Sequence, residues 1–125
     1  MTTRHLTFEE LLQIAETLPG DPQCWDIGAL DAAVARTQAH RLGRDVYGSH
    51  WLQAGALLQI LALLEPLEHS NMNFAWAAAR AFLEVNGRTV DAKPADIVDL
   101  VTTASRKEID VQAIAARLRS WATGT

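Results

Sequence analysis

A single cysteine, Cys24, leaves this chain without a partner for an internal disulfide. No apolar run reaches the length that spans a bilayer or forms the core of a signal peptide, so the cytoplasm is the expected compartment and no membrane contact is expected. Positive charge is also short: 11 Lys and Arg against 15 Asp and Glu give a net charge of -4. Such a surface has no general attraction for phosphate backbones, and nucleic acid is not expected as a direct partner. Four prolines and seven glycines are too few for low-complexity disorder. Internal repeats are missing, as are alternating apolar-polar runs bounded by turns, which argues against a sheet; only Arg88-Thr89-Val90-Asp91 suits a short extended segment.

What remains is helical pattern. With 49% hydrophobic residues in 125, the chain can bury one core, and residues 1–125 are read as one domain. Thr7 followed by Glu10 has capping-box spacing, which predicts a helix to about Leu18 before Pro19-Gly20-Asp21-Pro22 stops it. A second helix is expected over the Leu30–Gln38 region, followed by a turn at Arg41 to Asp45. From Trp51 to Leu64 apolar residues surround the helix on nearly every side, interrupted by Gln53 and Gln59, as in a helix enclosed by neighbours. Pro66 forces a loop over Glu65–Ser70. After it comes an alanine-rich helix from Phe74 to Val85, with Ser70 or Asn71 as its cap and Asn86-Gly87 as its stop. Pro94 suits the first turn of a helix to about Ala104, and Asp110 can cap a last one carrying Val111, Ile114, Leu118 and Trp121. The expected fold is all-α, with about six helices.

The order of these segments resembles the Doc (death on curing) branch of the Fic/Doc (Fido) family. Gly28 to Gln38 is similar to the family's alanine-rich helix ending in an arginine, a spacer and a glutamine, here Arg36 and Gln38. Gly43, Asp45 and Tyr47 fall where the family has a glycine-aspartate-tyrosine loop. Phe82-Leu83-Glu84-Val85-Asn86-Gly87 resembles its Phe-Leu-x-x-Asn-Gly ending, and the tail from Ile97 to Arg119 resembles its closing pair of helices. The resemblance implies a compact helical bundle and a catalytic loop reading His-x-Phe-x-(Asp/Glu)-(Gly/Ala)-Asn-(Gly/Lys)-Arg. In that loop histidine is the general base, the acid holds magnesium on nucleotide phosphates, the following helix start cradles phosphate, and the cations neutralise developing charge.

In this chain Glu65 stands for the histidine, Leu67 for the phenylalanine, His69 for the acid, Ser70 for the small residue, Met72 for the glycine or lysine and Asn73 for the arginine; Asn71 alone matches. A carboxylate serves as a base at neutral pH only where burial raises its proton affinity, and magnesium prefers oxygen to imidazole. The resemblance therefore implies a toxin-antitoxin module protein that acts by protein binding and lacks the family's transfer to protein hydroxyls. No cofactor is then expected. The competing reading is an active enzyme of kinase or AMP-transferase type, with Glu65 or His69 as base, Ser70, Asn71, Met72 and Asn73 receiving an anion, and ATP with magnesium as cofactors. A third is an adaptor keeping only the scaffold.

For a partner, the resemblance implies an amphipathic helix of an antitoxin or a neighbouring protein, seated on Leu67, Met72, Phe74 and Trp76; the competing role for these four is to complete the core. A homodimer is a further arrangement to consider. No metal site is expected, because Glu65 and His69 make only two ligands and zinc normally takes at least three from protein. Trp25, Trp51, Trp76 and Trp121 read as core or subunit-contact residues, and Cys24 as structural. Arg36, Arg41 and Arg44 gather around one loop, and Arg117 with Arg119 near a helix end suits dipole compensation.

Overall fold

In the structure, a computed structural model that describes residues 3–124, the capping box forms as the spacing predicts. The Thr7 hydroxyl accepts from the Glu10 amide and the Glu10 carboxylate accepts from the Thr7 amide, each at 3.1 Å, which starts α1 (Phe8–Glu16). The Thr7 amide and the Arg4 guanidinium hold the Glu10 carboxyl below the usual glutamate range. Asp26 accepts from the Ala29 amide and opens α2 (Ile27–Thr37) a turn earlier than its apolar stripe suggests. A two-strand hairpin follows, β1 (His40–Arg41) and β2 (Arg44–Asp45), turning through Leu42 and Gly43 at φ 53° and 75°. Positive φ at both central residues is the hairpin geometry whose twist matches the strands.

Ser49 caps α3 (His50–Leu64) through the Leu52 amide, and α4 (Asn71–Val85) begins three residues before the expected Phe74. Gly87, at φ 79°, turns the chain into β3 (Thr89–Val90). Pro94 occupies the first turn of α5 (Pro94–Ser105), and Asp110 caps α6 (Val111–Ser120) by accepting from the Ala113 amide at 2.8 Å. β4 (Ala122–Thr123) returns to pair antiparallel with β3, so the extended segment at residues 89–90 is real and its partner is the C-terminal end. The fold among the described residues is all-α, six helices with two minimal strand pairs at the margins.

α3 runs through the middle of the bundle, against α2, α4, α5 and α6. Its most extensive partner is α4. Gly55 lets α6 come close: a Cβ there would lie 3.2 Å from the Val111 carbonyl oxygen and 3.3 Å from the Ala115 nitrogen. Leu57, Leu58 and Leu61 of α3 meet Phe74, Ala78 and Phe82 of α4 in one core cluster that also takes in Leu11, Leu30, Leu100, Ile114 and Leu118. No helix among the described residues is long and apolar enough to cross a membrane.

Leu61 is fully buried in this cluster. Leu61→Ala is expected to cost ~2–5 kcal/mol through lost transfer energy and the cavity left behind. Urea denaturation checks this; a loss below ~0.5 kcal/mol would place Leu61 outside the packed core.

Candidate functional site

The chain leaves α3 at Glu65, whose backbone is left-handed at φ 46°, and enters α4 at Ser70, also left-handed at φ 65°. Such a conformation costs a non-glycine residue on the order of 1–3 kcal/mol, so the short loop between them must be held in place. A neighbouring segment, residues 23–26, holds it. The Trp25 and Asp26 amides donate to the Pro66 carbonyl at 3.0 and 3.3 Å, and the Glu68 amide donates to the Gln23 carbonyl at 2.9 Å. Cys24 and Leu67 make an isolated antiparallel bridge, which gives Cys24 a structural setting. The Trp25 indole N–H donates to the Glu65 carbonyl at 2.9 Å while the residue stays 71% exposed. Trp25 is therefore not a core tryptophan.

Asn71 completes the loop. Its side chain turns back from the first residue of α4, accepting from the Leu67 amide and donating to the Leu67 carbonyl, both at 2.9 Å. Ser70 occupies the cap position, but its hydroxyl bonds His69 Nδ1 at 2.8 Å instead of a helix amide. No side-chain cap thus covers the start of α4. The first-turn amides carry the positive end of the helix dipole.

This helix start opens onto a groove of about 490 Å³ lined by Glu65, Ser70, Asn71, Met72 and Asn73 and, across from them on α5, Ile97, Val98 and Val101. Glu65 is the one ionisable side chain in that lining. His69 lies outside it, packed toward Gly20, where an added Cβ would sit 3.1 Å from His69 Cε1. The structure thus brings Glu65 together with Ser70, Asn71, Met72 and Asn73, and sends His69 elsewhere.

The proposed partner contacts need correction. Leu67 and Phe74 are each 0% exposed and belong to the core, because the loop folds Leu67 under Asn71 and α4 turns Phe74 inward. Trp76 is half-buried against Trp121, edge-on at 6.0 Å, and lines a different hollow beside Ile14 and Arg80. Met72, 39% exposed, is the one member of the four in the groove. The α5 wall was missed. Residues 97, 98 and 101 form an apolar helical stripe, but periodicity alone does not say whether a stripe is covered.

The arginine cluster divides as well. Arg36 donates to the Tyr47 hydroxyl, the Ala56 carbonyl and Gln59 Oε1 at 3.1, 3.2 and 2.6 Å, tying α2 to α3 and to the segment after the hairpin. Arg41 and Arg44 are exposed on paired strands. Arg117 pairs with Asp99 at 3.0 Å and lies over Trp121.

No protein-family model matches the chain. Its sequence is similar to Toxin Doc of Mycolicibacterium smegmatis, with 38% identity over 123 residues, covering 96% of this chain and 95% of the relative.

Asn71→Ala removes both hydrogen bonds to the buried Leu67 backbone. A loss of about 1–3 kcal/mol is expected, the cost of stranding buried polar groups. Chemical denaturation, with hydrogen exchange at residues 65–70 as a local readout, checks it; unchanged stability and exchange would show that the clamp is dispensable.

Proposed function

This chain belongs to the Doc toxin family, and from that premise we propose that it is the toxin partner of a toxin-antitoxin pair that acts by protein binding without the family's phosphotransfer. The observation that carries the reading is the groove at the start of α4, whose lining holds one carboxylate and no cation. A nucleotide triphosphate brought there would place its negative charge beside Glu65 with only helix amides to offset it. Phosphoryl transfer depends on positioning and on cationic stabilisation of the phosphates. Magnesium with a nucleotide does not fit this donor set: the position of the family's acid is His69, which faces Gly20 and Ser70.

The groove suits apolar contact better. Met72 and Val98 are exposed on its two walls, and Leu64 and Trp25 are exposed at or beside its Glu65 end. An amphipathic helix of an antitoxin is the proposed occupant, with apolar anchors on one face. This placement substitutes Ile97 and Val98, backed by the buried Val101, for Leu67, Phe74 and Trp76 as its contacts.

One observation favours a second reading, an enzyme with rewired chemistry: the uncapped first turn of α4 and the Glu65 side chain face the same groove. An anion seated on those amides would lie near the one available carboxylate base.

Radiolabelled nucleotide incubated with the protein and cell extract separates the two. Background labelling of protein is expected. A labelled target that vanishes in Glu65→Gln would overturn the proposal in favour of the enzyme. In parallel, co-expression with the adjacent gene product should give a complex on size-exclusion chromatography that Met72→Asp and Val98→Asp weaken while the fold is intact. Unchanged binding in both variants would move the interface away from the groove.

A further inference from the structure

The end of the α3–α4 pair opposite the groove carries a cluster of titratable groups that the proposed function does not use. His50 opens α3, and Phe82 and Asn86 close α4 beside it. Across this end lies an arm, residues 3–6, that is neither helix nor strand. The Arg4 amide donates to Asn86 Oδ1 at 2.8 Å, and the Asn86 side-chain nitrogen donates to the Arg4 carbonyl at 2.9 Å. The His5 ring packs on Phe82 with centroids 6.0 Å apart, and Leu6 inserts into the core at 6% exposed. His50 meets the same Phe82 edge-on at 6.4 Å.

The protonation of His50 is fixed by its neighbours. Arg88 Nε, which can only donate, lies 3.0 Å from His50 Nδ1, so that ring nitrogen must be an unprotonated acceptor. The remaining proton sits on Nε2 and faces the Thr3 hydroxyl at 3.3 Å. The Arg88 guanidinium also covers Trp51, its carbon 5.4 Å from the ring centroid. A second proton on His50 would place N–H against N–H at Nδ1 and a cation against a cation. His5 Nδ1 is buried with no hydrogen-bond partner among the described residues.

We propose that this cluster is a proton-operated latch: His50 and His5, while neutral, hold residues 3–6 on the α3–α4 pair, and proton uptake releases that arm before the rest of the fold opens. The groups that face it come from three other elements: the hairpin, the segment ahead of β3, and α1, whose Glu10 pairs with Arg4 of the arm and stays ionised through the histidine range because its own value is lowered. His5 feels Asp45 and His40 on the hairpin, and His50 feels Arg88 ahead of β3. Asp45 favours a charged His5, but it is already paired with His40 at 2.8 Å. Burial pushes His5 below the ordinary histidine value, opposed by Asp45 and aided by His40. Burial, then Arg88, then His5 push His50 down as well.

The sign follows from linkage. Both folded values are depressed, so the unfolded chain binds more protons. The stabilising effect of the neutral latch is complete well above the unfolded histidine value of about 6.5, and is lost as pH falls from there toward the folded values. Release uncovers Phe82 and withdraws Leu6 from between α1 and α4, so the consequence is local to that face.

Hydrogen exchange of the full chain, corrected for intrinsic rates, tests this at about pH 7.5 and about pH 5, which bracket ordinary histidine titration. Protection at the Arg4 amide, which donates to Asn86 Oδ1, is expected to fall by roughly tenfold or more at the lower pH while α3 and α4 keep theirs. A double variant, His5→Phe with His50→Gln, keeps ring packing and polar reach but should lose this pH response. Arg88→Gln should move the arm's midpoint and the His50 NMR titration upward together, a shift that a purely structural role for Arg88 would not produce. Arm protection that is independent of pH, that falls only together with the core, or that keeps its wild-type pH response in the double variant would overturn the latch.

Discussion

A helix of fifteen residues with no polar side has nowhere to face water, and α3 is that helix. Nine of its residues are buried, and each neighbouring helix is recruited by the area it covers. At ~25 cal/mol per Å² of apolar surface removed from water, a leucine left uncovered on any side forfeits about 1.5–3 kcal/mol. Small residues set how closely the cover fits. Gly55 admits the backbone of α6, and Ala75, Ala78 and Ala79 keep α4 near α3. Of the two glutamines on α3, Gln59 takes a hydrogen bond from Arg36, which makes it a tie to α2. Gln53 is buried with its side-chain oxygen unpartnered among the described residues.

Enclosure of α3 forces a tight return into α4, and the candidate site is made by that return. Two left-handed residues, Glu65 and Ser70, and a buried Leu67 cannot be held by the loop itself, which is why segment 23–26 pairs with it. Asn71 spends both ends of its amide on the Leu67 backbone. That clamp has a physical role of its own. The loop needs that clamp whether or not chemistry occurs above it, whereas a base, a metal ligand or a phosphate cation matters only to a reaction.

Much of the fold was legible because its signals are local. Thr7 with Glu10, Asp110, Pro94 and the apolar run of α3 each act within one or two turns, and each gave an element where expected. The α2 start at Ile27 was missed because Asp26 works as a cap only once its φ and ψ leave the helix. β4 was missed because two residues carry no period and pair with a segment more than thirty positions away. At the site, the loop residues were legible through the resemblance, but their directions were not. Leu67 inside, His69 outside the groove and Trp25 exposed are consequences of how residues 23–26 dock, and that docking is a tertiary fact.

The groove and the histidine cluster lie at opposite ends of the same antiparallel pair. A fifteen-residue helix is about 22 Å long at 1.5 Å per residue, beyond the reach of a screened charge at physiological salt. A proton on His50 therefore cannot alter binding at Glu65 by direct field. Any effect must pass through the seating of α3 on α4, and Phe82 is where that seating meets the arm, since both imidazoles rest on its ring. Close packing transmits a displacement, but it also resists one. With Phe82 and Leu83 fully packed and Asn86 still bonded to the Phe82 carbonyl, loss of the arm leaves most of the α3–α4 contact in place. The two ends are thus physically joined yet energetically separable, and an antitoxin helix seated at the Glu65 end would not by itself close the latch at the other.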